Sequence, residues 1–435
     1  MAPRAAGSLL VDVSPLRESA VFRRLFIGRT IMLFGVGMVS VTVPVHVFMQ
    51  TGSTVQVGVI TSAEGIAFLF GYLFGGVLAD RTDKWRMIQL CRVGSAASFV
   101  GLTLNALLGG PVWLIGVLVV VNGLSGATGI TALLAVQPTL VDRSKLHAVG
   151  ALNMLSMRMG TVLAPVAGGA VVAFAGPVWS YGLGAVAALS TTPMLRRPQP
   201  SQLPAAALPP AGEPPRPAQP RENPWRALLA GYRHIARDRV VAGVMAAGVV
   251  GMIGGGSRVL IPALAEARFG HAPLVVGLMY SSVSAGLVLG ALSSGWIKRV
   301  ARPGMLLLLM MILCFLCYAA AGAAPILALA LLFLLAAGLV NSVEEVLRYA
   351  LLQLRTPVEF LGRVNSVFAA QNMSGVAVGA LVAGVFGAWV DPVTAFWSYN
   401  LAMAGISVLV LLLLPALRRH PGSEAGAEAG AGAGD

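Results

Sequence analysis

Apolar runs alternate with short polar clusters along the chain, at roughly 25–49, 56–79, 88–109, 112–136, 148–174, 178–195, 240–264, 274–297, 304–322, 325–347, 364–389 and 393–415. A helix rises about 1.5 Å per residue and needs about 20 apolar residues to cross a hydrocarbon layer, so each run predicts one membrane-spanning helix. The twelve runs form two sets of six. The first is longer than a signal-peptide core and carries Arg29 inside it, which predicts a retained helix.

The loops orient these spans. On the side of the N-terminus they hold Arg81, Lys84 and Arg86, then Arg143 and Lys145, then Lys298, Arg299 and Arg302, then Arg348, Arg355 and Arg363, and finally Arg418 and Arg419; eight more arginines lie between 196 and 239. The opposite loops hold essentially Arg268 alone. By the positive-inside rule both termini and the central linker are cytoplasmic, which requires the even number of spans already found.

Composition agrees with this pattern. The 435 residues are 57% hydrophobic and 11% charged with a mean hydropathy of +0.82, which excludes a water-soluble protein. The 30 Lys and Arg outnumber the 17 Asp and Glu, but they are scattered between apolar runs and form no aromatic-interleaved groove, so the partner is the lipid bilayer and not nucleic acid. The expected organisation is a cytoplasmic segment 1–24, a six-helix bundle 25–195, a linker 196–239, a second six-helix bundle 240–415 and a tail 416–435. Proline crowds 198–224, which predicts an extended, mobile connection. After it, Trp225, Leu228, Leu229, Tyr232 and Ile235 fall at helical spacing among Arg226, Arg233 and Arg237, the pattern either of a helix lying in the headgroups or of a lead-in to span seven. The tail after Pro421 is low in complexity and reads as disordered.

Cys91, Cys314 and Cys317 cannot form a disulfide framework, and the C-x-x-C pair lacks a second ligand pair for zinc, so all three read as small buried thiols. His46, His147, His234, His271 and His420 are dispersed, and no metal or cofactor site is expected. None of Lys84, Lys145 and Lys298 follows a glycine, so the chain has no phosphate-cradling loop and should not hydrolyse nucleotide. No nucleophile–base–acid set appears either, which argues against an enzyme.

Several motifs carry mechanism. Gly76-Val77-Leu78-Ala79-Asp80-Arg81, then Thr82-Asp83-Lys84-Trp85-Arg86, closes span two and fills the loop before span three. This resembles the loop signature of the major facilitator superfamily, with Asp83 where that family usually has glycine and Trp85 where it usually has a cation. Gly76 permits close helix approach, and Asp80, Arg81, Lys84 and Arg86 supply a charge clamp that can hold one conformation and release in another. The second-half counterpart, Gly295 to Arg302, keeps the cations and lacks the acid. In span five, Gly160, Ala164, Pro165, Gly168 and Gly169 resemble the Gly/Pro-rich signature of proton-coupled exporters of the superfamily; small residues at this spacing let helices pack closely, and proline frees a carbonyl. Two echoes, 133–146 and 351–364, follow the fourth span of each half, as expected of a repeated transporter.

The whole chain looks like the bacterial siderophore-exporter group of that superfamily, whose cargo is a catecholate such as enterobactin. The likeness is carried by 41–58, 75–81, 129–146, 153–169, 258–266, 301–309 and 351–375, and so covers both halves. It implies the major facilitator fold, the inner membrane, a small-molecule cargo and a central cavity lined by spans one, two, five, seven and ten. Related groups export macrolides and other amphipathic drugs, the second reading.

Charged side chains inside a span cost about 2.5–3.5 kcal/mol on insertion scales, so those present face the bundle interior or a wet cavity. They are Arg29, Arg158 and Arg258 in spans one, five and seven, Glu64 in span two, and Glu344 with Glu345 in span ten. An excess of arginine suits an anionic, oxygen-rich cargo, because a guanidinium bonds two oxygens and keeps its charge; alternatively each arginine braces the bundle. Glu64, on an otherwise apolar helix, is the first candidate to carry protons and Glu345 the second, while Glu344 and Arg348 at i, i+4 read as a pair at the cytoplasmic end. Protons are the expected coupling ion, with sodium equal on energetic grounds, and a monomer is favoured.

Overall fold

The computed structural model describes residues 13–137, 140–141, 145–195, 233, 235–270 and 273–419, and every regular element in them is helical. The spans are α1 (Ala20–Thr51), α2 (Thr54–Arg81), α3 (Lys84–Leu107), α4 (Val112–Val136), α5 (Leu146–Ala175), α6 (Pro177–Thr191), α7, α8 (Pro273–Ser293), α9 (Pro303–Ala323), α10 (Leu327–Arg355), α11 (Val358–Phe386) and α12 (Pro392–Leu413). α7 comes in two pieces, Arg239–Gly255 and Ile261–Phe269, joined by the 3-10 stretch Gly256–Leu260. Eleven spans are long and apolar enough to cross a membrane. α6 has only 15 residues, about 22 Å of helix, and the 3-10 turn Pro193–Leu195 lengthens it towards the usual bilayer core.

Local chemistry sets the ends. Ser19, Ser53, Asp83, Asp238 and Asp391 cap α1, α2, α3, α7 and α12 by accepting from amides of the first turn. Gly52, with φ 59°, closes α1 in the left-handed conformation that a side chain would strain. Asp83, the departure from the family loop, therefore has a structural role: its carboxylate accepts from Trp85 N at 2.8 Å and Arg86 N at 3.2 Å. Arg268, alone on its side, donates from Nε to Ala324 O at 2.9 Å and from Nη2 to Ala323 O at 3.1 Å, covering the carbonyl end of α9. α10 runs to Arg355, beyond the apolar run that ended at 347, because Thr356 and Pro357 and not the charges stop it. Glu344, Glu345 and Arg348 consequently sit well inside the span.

The helices pair by one plan used twice. In the first lobe α1 packs on α5, α2 on α4, and α3 on α4 and α6; six spans later α7 packs on α11, α8 on α10, and α9 on α10 and α12. The lobes meet chiefly through α2 against α11 and α5 against α8. Both seams lie at the end away from the chain termini. Thr54 Oγ1 donates to Gly384 O at 2.9 Å and Ser62 Oγ to Ala377 O at 2.6 Å, while Gly277 meets Gly169 so closely that a Cβ on Gly277 would lie 3.0 Å from the Gly169 Cα. The small residues of span five serve this packing: Gly160, Ala164 and Gly168 lie against Leu33, Gly37 and Met38 of α1, and Pro165 and Gly169 against Gly277 of α8. The proline-rich stretch 198–224, the positions from 225 to 232, and the tail after 419 lie outside the described residues.

Candidate functional site

The break in α7 builds the second-lobe site. A Cβ on Gly256 would fall 2.0 Å from the carbonyl of Gly379, so only glycine lets α7 touch the α11 backbone there. Leaving the α-helical ladder frees carbonyls that need donors. Tyr399 Oη donates to Ile253 O at 2.7 Å, and Tyr280 Oη donates to Arg258 O at 2.9 Å. Arg258 itself turns into the lobe, beside Tyr318, Tyr280 and Cys314, and not towards lipid.

It reaches a cavity of about 50 Å³ bordered also by Asn341 and Glu344, enough space for about one or two waters. Arg258 Nε, Tyr318 Oη and Glu344 Oε1 border it without a hydrogen-bond partner. Glu344 Oε1 lies 3.6 Å from Arg348 Nε, with the two side chains only 5% and 7% exposed. The pair is thus buried inside the lobe, and its expected place at the helix end is corrected. Arg348 also sits 5.1 Å from the centre of the Phe368 ring and 3.5 Å from Asn372 Oδ1, and Gln371 Nε2 donates to Met245 O at 2.6 Å, tying α10 and α11 to α7. Glu345 is exposed, on the same side of α10 as Asn341, Tyr349 and Gln353.

The first lobe is arranged differently. Arg29 lies about 14 Å from the start of α1, with Nη1 buried and unpartnered, and faces Tyr72 of α2 and Arg92 of α3. Glu64 is half-buried on α2 and faces Tyr181 across the lobe. Tyr181 Oη lies 3.3 Å from His46 Nδ1, and Gln50 Nε2 lies 3.0 Å from His46 Nε2, so the buried histidine has partners on both ring nitrogens. Thr42 and Ser180 join α1 to α6 at 2.6 Å beside it.

Arg29 and Arg258 are not brought together: they belong to different lobes, and Arg258 stands about 30 Å from the start of its span. The side chains of Arg158, Asp80 and Arg81 lie outside the described residues. Gly76 has open space around it; the close approach to α4 is made by Gly71, against Leu124 and Ala127, and Gly75, against Thr128 and Thr131. Lys84 opens α3 and Arg86 is exposed on it. The described residues hold no group of three or more His, Cys, Asp or Glu able to ligate a metal.

Sequence reasoning missed Arg92, His46, Tyr181 and the tyrosines around α7. Arg92 sat near the expected start of span three at 88, but Asp83 starts the helix earlier and carries Arg92 about 12 Å in.

The geometry, two six-helix lobes with charged interiors joined by glycine-lined seams, is that of known transporters. The Enterobactin exporter EntS of Shigella boydii serotype 18 (strain CDC 3083-94 / BS512) is 38% identical over 417 residues, 95% of this chain and 96% of its own. The protein of the same name from Escherichia coli O81 (strain ED1a) matches to the same extent. The crystal structure of the nucleoside transporter NupG superposes with a TM-score of 0.68 at 15% identity, over 92% of this chain and 99% of that one, and shows the same fold. The Major Facilitator Superfamily model matches residues 25–342 and 246–433. The chain is a multi-pass membrane transporter and belongs to the Major Facilitator Superfamily.

Proposed function

We propose that this protein is a secondary active exporter that carries a catecholate siderophore of the enterobactin type out of the cytoplasm across the inner membrane, by alternating access with proton antiport. The observation that carries the reading is the 38% identity to enterobactin exporters along 95% of the chain, through both lobes and not one motif. The interior supports it: Arg29, Arg92 and Arg258 outnumber the acids they face, as an oxygen-rich anionic cargo requires. In this reading Arg29, Arg158 and Arg258 hold cargo, Glu64 and Glu345 exchange protons, and Gly76, Asp80, Arg81, Lys84 and Arg86 gate the cytoplasmic side on which both termini lie. The closed seams then make this the inward-open state.

The energetics suffice. One charge crossing 100 mV is worth about 2.3 kcal/mol, or a cargo gradient of roughly fiftyfold. The test is uptake of labelled catecholate siderophore into inverted membrane vesicles with and without an imposed pH gradient. Gradient-driven uptake that Glu64→Gln abolishes is expected. Unchanged secretion by iron-starved cells lacking the protein, with no second pump present, removes the siderophore; raised susceptibility of those cells to macrolides alone moves the reading to drug efflux.

A further inference from the structure

Two separate apolar clusters stack within the first lobe. At the terminus side Val21, Phe22 and Leu25 pack with Met87, Ile88 and Leu133; farther in, Met32 and Val39 pack with Ala96, Phe99 and Leu102. The gap between them falls at residues 27–31 of α1 and 92–95 of α3, and Arg29 and Arg92 occupy it. Measured from the terminus-side helix ends, Arg29, Tyr72 and Arg92 stand about 14, 14 and 12 Å deep, so three helices deliver them to one layer. The electrostatic coupling of Arg29 with both Tyr72 and Arg92 agrees with that placement.

No carboxylate of the described residues lies in this layer, whose other polar groups include the Tyr72 phenol, the Thr30–Ser156 hydroxyl pair and the Gln89 amide. Neither guanidinium belongs to an ion pair among the described residues, unlike Lys145 with Glu18 and Arg348 with Glu344. Arg29 Nη1 has no acceptor at all. Glu64, the other charged group of the lobe interior among the described side chains, lies two turns farther out on α2 and faces Tyr181; Cys91 and Gln89 stand near Arg92 on α3, and Gln89 Nε2 donates to Thr192 O at 3.2 Å. Two like charges partly withdrawn from water, with no counter-charge among the described residues, are costly, and an acceptor-rich ligand taking bidentate bonds from both forks and one from the phenol would offset that cost.

We infer that Arg29, Arg92 and Tyr72 form an oxyanion subsite in the first lobe, which receives a catecholate or carboxylate group of the cargo entering from the terminus side. The assignment to cargo rests on the export reading; the existence of the site does not. Catecholate, free phosphate and anionic lipid headgroups share the same recognition chemistry, so the test separates them.

The full-length protein, purified into nanodiscs of neutral lipid, is titrated with 2,3-dihydroxybenzoate and separately with inorganic phosphate, and the binding is repeated in discs containing phosphatidylglycerol. Saturable dihydroxybenzoate binding is expected, weakened at least tenfold by Arg29→Gln and by Arg92→Gln, with part of the affinity kept by Arg92→Lys. The melting temperature of the ligand-free variants stays equal or rises, because a repulsion is relieved. Equal affinity in wild type and both variants overturns the site, as does a fall in the ligand-free melting temperature, which marks the arginines as braces. Phosphate binding as tightly through the same residues, or dihydroxybenzoate failing to compete with phosphatidylglycerol, overturns the cargo assignment. Because binding is read without transport, loss of the site and loss of the export reading are separate results.

Discussion

The two lobes follow the same packing plan, but only the second holds a buried ion pair among the described residues. The second lobe pairs one of its buried arginines internally: Glu344 meets Arg348, Phe368 and Asn372 surround that guanidinium, and tyrosines from α8 and α12 satisfy the carbonyls that the broken α7 leaves free, while Arg258 Nε keeps no hydrogen-bond partner. The first lobe keeps its leading helix α1 continuous for 32 residues and places Arg29 and Arg92 in one layer with no acid among the described residues. Duplicated halves thus share a scaffold but divide the work. One lobe holds a buried ion pair, and the other holds two neighbouring arginines with no counter-charge among the described residues.

The contrast is broken most forcefully at Glu344. Glu344→Ala strands the buried Arg348 charge and should cost about 3–5 kcal/mol of stability, read by denaturant or thermal unfolding of the purified protein. Replacing both partners, Glu344→Leu with Arg348→Met, should recover most of that loss, whereas Arg92→Gln in the other lobe costs nothing. A single mutant as stable as the wild type would show that the Glu344–Arg348 pair does not hold the second lobe together.

Next in size is the seam on which both lobes depend equally. Gly277→Val drives a side chain into Pro165 and Gly169 and overpacks the contact by about 1–3 kcal/mol. The closed end should part, raising the rate of thiol labelling at Thr54→Cys, on the other seam, by about five- to a hundredfold. Tyr280→Phe leaves the Arg258 carbonyl without its donor and should cost about 1 kcal/mol, an effect with no counterpart in the unbroken α1.

The smallest effect is at the start of α12. There the Thr394 backbone N–H holds the Asp391 carboxyl below the usual carboxylate range. A lowered pKa means its contribution is present above the unfolded value and fades as pH falls through the folded one. Asp391→Ala should therefore flatten a slight acid-side loss of stability, and unchanged acid unfolding curves would count against the cap.

The spans were legible because a bilayer demands long apolar runs, and the sequence boundaries fall within a few residues of the helices wherever a cap coincides with the loss of hydropathy. They diverge where capping and hydropathy part company. Asp83 begins α3 before its apolar run, and α10 continues through Glu344, Glu345 and Arg348 to Thr356. Gly254, Gly255 and Gly256 stand just before Arg258 in the sequence, a run of residues with little backbone restraint, and the break in α7 is there. Arg92 beside Arg29, or Tyr181 beside His46, could not be read from any local pattern, since partners 63 and 135 positions apart meet only when helices assemble.

The seams at the far end are made of hydroxyls on carbonyls and glycine on glycine. Where hydroxyl meets carbonyl and glycine meets glycine, separating the join strips away dispersion contacts and hydroxyl bonds that water replaces at once. In the proposed export cycle it would work as a light latch, its hold comparable to the push from about one charge crossing a polarised membrane.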